Sequence, residues 1–216
     1  MRISSNIGTL KTRISVVMVV LVLLATSLVA ITSLYLGERE MDTIVGDQQF
    51  SILSAAAANI DQELNAKKSI LKLLAEQLAS ESGLSSIELQ QLLENHATLR
   101  EEFFNVVAFD ASGALVANMS DRRMIGSFNA SKRAYFMETV AAREGLVSAP
   151  FESALSGKPV VLITAPVYDS QGKLLYILGG GIDLHSPFFF GQLQAIRSGK
   201  TGYLFMLTVD GTILHH

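Results

Sequence analysis

The sequence predicts an α+β protein that begins with a membrane-spanning helix. Three observations carry this prediction. An uncharged apolar run lies near the N-terminus, a long proline-free stretch of helix-forming residues follows it, and the remaining chain changes to short apolar segments separated by turns that contain glycine. Short strands joined by hairpin turns, preceded by helices, are typical of an antiparallel sheet with helices packed to one side.

The composition excludes several classes of function. A net charge of −3 over 216 residues argues against a nucleic-acid-binding surface. Cysteine is absent, which excludes disulfides and thiolate zinc sites and is compatible with an oxidising compartment such as a periplasm. The chain carries no motif for nucleophilic, metal-dependent or phosphate-binding catalysis. We therefore expect no enzymatic activity in this chain and no cofactor or metal.

The apolar run extends from Ile14 to Leu36 and contains no charged residue. As a helix it reaches roughly 34 Å, enough for a hydrocarbon core of about 30 Å. Basic residues precede the run, so the positive-inside rule places residues 1–13 in the cytoplasm and the chain after the run outside. A cleaved signal peptide is the alternative, but the possible cleavage site at residues 25–27 lies within the run. We expect an uncleaved anchor.

Residues 37–80 are predicted to form one long helix, here called the stalk helix, because they are rich in Ala, Leu, Glu, Gln and Lys. Residues spaced alternately by three and four predict a seam along one face, interrupted only by Lys67. The seam consists of Phe50, Leu53, Ala57, Ile60, Leu64, Lys67, Leu71, Leu74 and Leu78. It can pack on its own domain or pair with a second copy in a parallel homodimer. Both arrangements can occur, at different positions along the helix.

A capping-box pattern at Ser85–Glu88 predicts a second helix through Arg100. Beyond it the chain reads as a strand, a turn and a strand, then a helix over Ser131–Arg143. Three further strands are predicted, within residues 145–153, 158–169 and 173–184. Five antiparallel strands are therefore expected.

The C-terminal part of the sequence repeats an earlier pattern. After a predicted helix capped by Ser186, "LFMLTVDGTILH" resembles "NVVAFDASGALV", and both read as strand, turn and strand. A lone hairpin would leave an unpaired apolar edge. We therefore expect the chain to be a fragment of a longer protein, with residues 186–216 forming a linker helix and the start of a second module.

Three segments together resemble the double Cache sensor domain, an extracytoplasmic PAS-like domain of bacterial receptors. They are "IGSFNASKRAYFMETV", "SGKPVVLITAPVYDSQGKLLYILGGGIDL" and "GKTGYLFMLTVDGTIL". The resemblance covers Glu38 to His216. It implies a membrane-distal, PAS-like module at residues 81–185 that binds a small molecule, and a membrane-proximal module that begins after it.

The resemblance also implies a place and a class of function. The protein would be a transmembrane signalling protein of the bacterial inner membrane, with its sensor on the periplasmic or extracellular side. The strand pair is closer in style to diguanylate cyclase sensors, so we expect that output beyond His216, with a chemoreceptor or sensor histidine kinase as alternatives. The competing class is a dimerising or partner-binding ectodomain with no small-molecule ligand.

Family members that bind amino acids use an arginine and aromatic residues on one helix to hold the ligand carboxylate. By resemblance, Arg133 and Tyr135 match this role, and a guanidinium is a planar fork that fits a carboxylate. The other aromatic and polar candidates for the binding site are Phe128, Phe136, Phe151, Glu152 and Ser153. The alternative for Arg133 is a structural pair with Asp121 or another acid.

The position expected to carry the acid that binds a ligand ammonium falls near Gly181, which has no side chain to do so. Asp183 lies two residues on, on the same face of the strand but one pleat repeat away, and it is included among the candidate ligand-binding residues. This departure from the family pattern makes a carboxylate or another small anion more consistent than an amino acid.

Overall fold

A computed structural model describes residues 10–80, 84–186, 206–207, 211 and 213–215. The chain divides into two compact units, residues 1–53 and 54–216. Helix α1 runs over Leu10–Ser80 and includes the predicted membrane span and stalk helix. Within the described residues, Thr12–Leu36 is the one helical stretch that is long and apolar enough to cross a membrane, with a mean hydropathy of 2.9. A signal sequence meets the same criterion.

In the second unit, the seam of the stalk helix is buried at its C-terminal end. Leu71, Leu74 and Leu78 belong to the hydrophobic core. Phe50 and Leu53, which lie in the first unit, are exposed. The prediction that the seam packs on its own domain is confirmed for this C-terminal part.

Two short helices follow. Helix α2 covers Ser86–Asn95 and α3 covers Ala97–Glu102. The predicted capping box is present: the Glu88 backbone N–H donates to Ser85 Oγ at 3.3 Å, and Glu88 Oε2 accepts from the Ser85 N–H at 2.8 Å. The single predicted helix is divided at His96, whose extended backbone interrupts the helical hydrogen bonds.

The second unit contains a five-stranded antiparallel sheet, as predicted. Its elements are β1 (Asn105–Asp110), β2 (Leu115–Asn118), a 3-10 turn (Arg122–Met124), α4 (Ala134–Ala142), β3 (Phe151–Glu152), β4 (Pro159–Tyr168) and β5 (Leu174–Asp183). The strand order is β2-β1-β5-β4-β3. The predicted strand at 145–153 is reduced to β3 and one bridge from Val147 to Ile163, because Pro150 has no N–H to donate to a ladder.

The sheet is covered on both faces, not on one as expected. Val106 and Ala108 face the core made by α1, α2 and α3. Val107 and Phe109 face the second core, which α4 covers. Residues that alternate along a strand point to opposite faces. The uninterrupted apolar run in β1 is the pattern of a strand buried on both sides.

A second, separate sheet pairs β6 (Met206–Leu207) with β7 (Ile213–His215) in antiparallel fashion. This pair lies within the hairpin predicted for the C-terminal pattern. The linker helix expected after Ser186 lies outside the described residues, as do residues 1–9 and 81–83.

Candidate functional site

A cavity of about 150 Å³ lies on the α4 side of the sheet. Val107, Phe109 and Leu162 form part of its apolar wall, and Phe104, which precedes β1, adds an aromatic ring. Five of the residues predicted from the family resemblance line it: Phe128, Arg133, Tyr135, Phe151 and Ser153. The structure therefore brings together side chains that are up to 25 positions apart between Phe128 and Ser153.

Arg133 stands at the N-terminus of α4. It is the N-cap residue, with an extended backbone, and its N–H donates to the Ala130 carbonyl at 2.8 Å. The guanidinium lies over the Phe128 ring, 5.4 Å from its centre. Within the described part of the chain, no carboxylate lies within ion-pair distance of Arg133, so its charge is available at the cavity.

The structural alternative for Arg133, a pair with Asp121, is not what the structure shows. Asp121 lines the same cavity, but its carboxylate accepts hydrogen bonds from Nε and Nη2 of Arg123, each at 2.9 Å. These hydrogen bonds hold the pKa of Asp121 below its usual value. The acid is thus ionised and already neutralised by a neighbour.

Tyr135 follows Arg133 on the first turn of α4 and is only 6% exposed. Its ring stacks on Phe151, with the ring centres 5.2 Å apart. Burial raises the pKa of Tyr135 to about 12, although the nearby charge of Arg133 acts in the opposite direction. The phenol is therefore protonated at neutral pH, and among the described residues its hydroxyl has no hydrogen-bond partner.

The opposite wall comes from the turn between β3 and β4. The Ser153 N–H donates to the Lys158 carbonyl at 2.8 Å, and Gly157 takes a positive φ of 66° in this turn. The Ser153 hydroxyl accepts a 3.3 Å hydrogen bond from the Leu155 N–H and keeps its own proton for donation. Glu152 is exposed and does not line the cavity.

Two further predicted residues lie away from this cavity, in addition to Glu152. Phe136 packs in the core, where its ring meets Phe109 edge-on at 6.3 Å, because consecutive residues of a helix point in different directions. Asp183 lies on the cavity face of β5 but further along the strand than Gly181. It receives a 2.7 Å hydrogen bond from Lys158 Nζ beside a separate groove.

The environment of Asp183 is explained by this ion pair. Burial alone would raise the pKa of Asp183, but hydrogen bonds from Lys158 and from the His185 backbone outweigh it, and the pKa is lowered. Asp183 is thus an ionised partner of Lys158. The expectation that it shares a site with Arg133 is not met.

The cavity wall contains a polar group that was not predicted from the sequence. Asn105, Asn118 and Ser120 line the cavity beside Asp121. Asn118 lies opposite Val107 in the ladder between β1 and β2, which places it on the cavity face. A signal was present in the sequence, because asparagine is disfavoured within strands and a buried amide requires partners.

Asn118 is held from behind by α2. Gln90 Nε2 donates to the Asn118 carbonyl at 2.8 Å, and the Asn118 N–H donates to Gln90 Oε1 at 2.7 Å. Gln90 also donates to Glu94, which forms an ion pair with Arg122. The pKa of Glu94 is lowered to about 2, mainly by the hydrogen bond from Arg122 and to a smaller extent by the hydrogen bond from Gln90.

Glycines form the floor of the cavity. Gly179 and Gly181 line it, whereas Gly180 between them faces α1. A methyl group at Gly181 would meet only the Asn105 carbonyl oxygen, at 3.5 Å. The position where the family pattern expects an acid is therefore in the cavity, and here it carries no side chain.

Comparisons with known proteins agree with this architecture. The ligand-binding domain of the Pseudomonas aeruginosa PAO1 amino acid chemoreceptor PctC, in complex with GABA, is 25% identical with a TM-score of 0.65, over 77% of this chain and 73% of that chain. The ligand-binding domain of the Pseudomonas fluorescens chemoreceptor CtaA, in complex with L-serine, is 24% identical with a TM-score of 0.62, over 76% and 68%. The similarity to the CtaA domain, at 24% identity, supports the fold alone.

A curated relative and a family model extend the comparison. Sporulation kinase D of Bacillus subtilis (strain 168) is 22% identical over 156 residues, which is 71% of this chain and 30% of that protein. The chain thus spans less than a third of the length of this relative. A family model described as "Cache domain" matches residues 38–216. Because this match covers most of the sequence, the chain belongs to the Cache domain family and carries a sensor domain.

Proposed function

We propose that this Cache domain binds a small anionic metabolite, a carboxylate in the first place, as the extracytoplasmic sensor of a bacterial transmembrane signalling protein. The observation that carries the proposal is the charge balance of the cavity. Arg133 reaches the cavity without an acidic partner among the described residues, while Asp121 is neutralised by Arg123. A cavity with one available guanidinium complements an anion.

The walls strengthen this recognition. Phe104, Phe128 and Phe151 surround the polar groups with aromatic surface. Charge–charge attraction increases where water is excluded and the dielectric constant falls. The protonated Tyr135 hydroxyl adds a neutral donor beside the guanidinium. Together these groups offer a carboxylate both charge and hydrogen bonds.

The proposed ligand carries no amine. The receptors named above include an amino acid chemoreceptor bound to GABA and a chemoreceptor bound to L-serine. An ammonium group needs an acid or another acceptor, and Gly181 supplies no side chain at the position where the family pattern expects one. Asp121 is already engaged by Arg123. A carboxylate without an amine therefore fits this cavity better.

Replacing Arg133 by alanine should strongly weaken carboxylate binding. We expect the affinity to fall about tenfold to hundredfold, since hydrogen bonds to charged groups contribute about 1.5–3 kcal/mol. The measurement is the rise in melting temperature of the full chain in detergent micelles across a panel of small carboxylates. The unliganded melting temperature should stay close to wild type, because Arg133 is exposed and makes no ion pair with any residue that the structure describes.

Lys132→Ala is the matched control for Arg133→Ala. Lys132 is the adjacent exposed cation, so its replacement changes the net charge by the same amount as Arg133→Ala. It does not line the cavity, so carboxylate binding should be retained. If Arg133→Ala retains the full thermal shift, the carboxylate site is not where we place it. If wild-type protein shows no shift with any member of the panel, a partner-binding ectodomain becomes the better assignment.

The proposed location outside the membrane rests on the helical run Thr12–Leu36 and on the basic residues before it. The relatives named above are two chemoreceptors and a kinase, which supports a signalling receptor as the class. The diguanylate cyclase output and the division of residues 37–216 into stalk, membrane-distal module and second module remain predictions.

We also propose that the stalk helix pairs with a second copy. This pairing is supported by the N-terminal part of the seam, where Phe50, Leu53 and Ala57 are exposed. The chain has no cysteine, so Phe50→Cys introduces a single thiol. We expect oxidation in membranes to give a disulfide-linked dimer with Phe50→Cys and much less with Gln48→Cys, because two residues along a helix lie on nearly opposite sides. Equal cross-linking of both variants would contradict parallel pairing through this face.

A further inference from the structure

We propose that Asn118 is a second recognition residue, whose side-chain amide donates to an oxygen of the ligand other than the carboxylate held by Arg133. The ligand class is then a short carboxylate with a second oxygen acceptor, such as an oxo or hydroxy group. This inference rests on the proposed function, because it concerns the same cavity.

The hydrogen bonds of Asn118 fix which side-chain atom is available. One of its two side-chain atoms accepts from the backbone N–H groups of Ser120 and Asp121, at 3.1 and 3.3 Å. A backbone N–H can only donate, so the atom that meets both is the oxygen, Oδ1. Asn105 Nδ2 donates to the same oxygen at 2.9 Å. The amide nitrogen Nδ2 is therefore the remaining atom.

That nitrogen has no acceptor within the described residues. Asn118 is only 2% exposed and lines the cavity. The Nδ2 atom is not among the fully buried side-chain atoms that lack a partner, so it keeps accessible surface in the cavity wall. It can therefore donate to a ligand atom that enters the cavity.

The position is held rigidly, as a recognition group requires. Gln90, itself 4% exposed, makes two hydrogen bonds to the Asn118 backbone from α2. Asn105 fixes the Asn118 side chain from β1. Groups held in place before binding lose little conformational entropy when the ligand arrives.

Three hydrogen-bond donors line the cavity. Arg133, the Tyr135 hydroxyl and Asn118 Nδ2 can all donate, and the acceptor oxygens of Asp121 are engaged by Arg123. A ligand with several acceptor oxygens matches this set, whereas a plain alkyl carboxylate offers Asn118 Nδ2 no second oxygen.

The volume limits the size of the ligand. A cavity of about 150 Å³ is comparable to one that accepts benzene, a molecule of about six non-hydrogen atoms. Oxo- and hydroxy-carboxylates with three or four carbons are of this size.

The test compares ligands that differ by one oxygen. The affinity of the full chain in detergent micelles is measured by calorimetry for pyruvate against propionate, and for acetoacetate against butyrate. We expect the oxo-carboxylate of at least one pair to bind about tenfold more tightly, which is the contribution of one hydrogen bond. Asn118→Asp keeps an acceptor oxygen for the backbone and replaces the NH₂ group with an oxygen. Its negative charge in the cavity wall should weaken the binding of all four carboxylates, and the ratio of oxo-carboxylate to plain carboxylate affinity should fall to about one.

Asn59→Asp is the control for Asn118→Asp, because it adds the same charge at an exposed position of α1 and should keep the preference. Equal binding of both members of each pair by wild-type protein overturns the role of Asn118 and leaves the anion site standing. Failure of all four compounds to bind overturns both proposals. The wild-type comparison needs no variant, so instability of Asn118→Asp does not remove the test.

Discussion

Replacing Lys67 by alanine is expected to destabilise the Cache domain by about 2–3 kcal/mol, the range of hydrogen bonds to charged groups. Lys67 is only 3% exposed. Its Nζ donates to the backbone carbonyl and to Oε2 of Glu102, both at 2.7 Å. These contacts join α1 to the end of α3, so their loss weakens the attachment of the stalk helix to its own domain.

The remaining carboxylates add to the expected effect of Lys67→Ala. Glu63 Oε1 lies 3.8 Å from Lys67 Nζ and is a buried atom without a hydrogen bond among the described residues. Removing the lysine leaves this carboxylate without its counter-charge. The side chain of Glu102 is 37% exposed and can be hydrated. The effect should therefore stay below the 3–5 kcal/mol of a fully buried pair.

Lys72→Ala provides the comparison for Lys67→Ala. Lys72 belongs to the same helix, is exposed, and pairs with Glu76 at 3.8 Å on the surface. Exposed pairs of this type contribute about 0.3–0.5 kcal/mol. Unfolding of the full chain in detergent, followed by circular dichroism, measures both variants. Equal losses for Lys67→Ala and Lys72→Ala would refute a structural role for the buried lysine.

Replacing Gly180 by alanine is the second change with a large expected effect. A methyl group at Gly180 would lie 2.5 Å from Phe103 Cε1 and 2.7 Å from Leu71 Cδ1. Both neighbours are buried in the core between α1 and the sheet. Overpacking of this kind typically destabilises by about 1–3 kcal/mol, and we expect the upper part of that range because two core side chains must move.

Gly181→Ala is the matched control for Gly180→Ala. The two glycines are adjacent in β5, but a methyl group at Gly181 meets its nearest atom only at 3.5 Å, an ordinary contact. Its melting temperature without ligand should therefore be close to wild type. If Gly180→Ala unfolds no more easily than Gly181→Ala, the close packing of Leu71 and Phe103 against β5 is wrong.

Much of the fold could be predicted because its signals are local. The capping box at Ser85–Glu88 and the five strands depend on residues close in sequence. The burial of Lys67 could not be predicted, because its partner Glu102 is 35 positions away. From spacing alone, Lys67 interrupts the apolar seam. In the structure it is one of the most buried members of that seam.

The candidate site was predictable where the family resemblance supplied it. Arg133 and Tyr135 reach the cavity because the start of α4 places them there. Phe136 was misplaced because the side of a helix that faces a cavity depends on tertiary packing. Asn118 was missed because its role depends on strand register and on Gln90 from α2, and neither can be read from a short motif.

The junction between α3 and β1 has a mechanical consequence. Phe103 packs towards Leu71 of α1, and the next residue, Phe104, lines the cavity. Neighbouring residues in extended backbone project to opposite sides. The two rings are therefore joined through the single peptide group between Phe103 and Phe104. If a bound molecule displaces Phe104, it also displaces the peptide group that positions Phe103 against α1. In that case thermodynamic reciprocity requires that a displacement of α1 changes the affinity of the cavity.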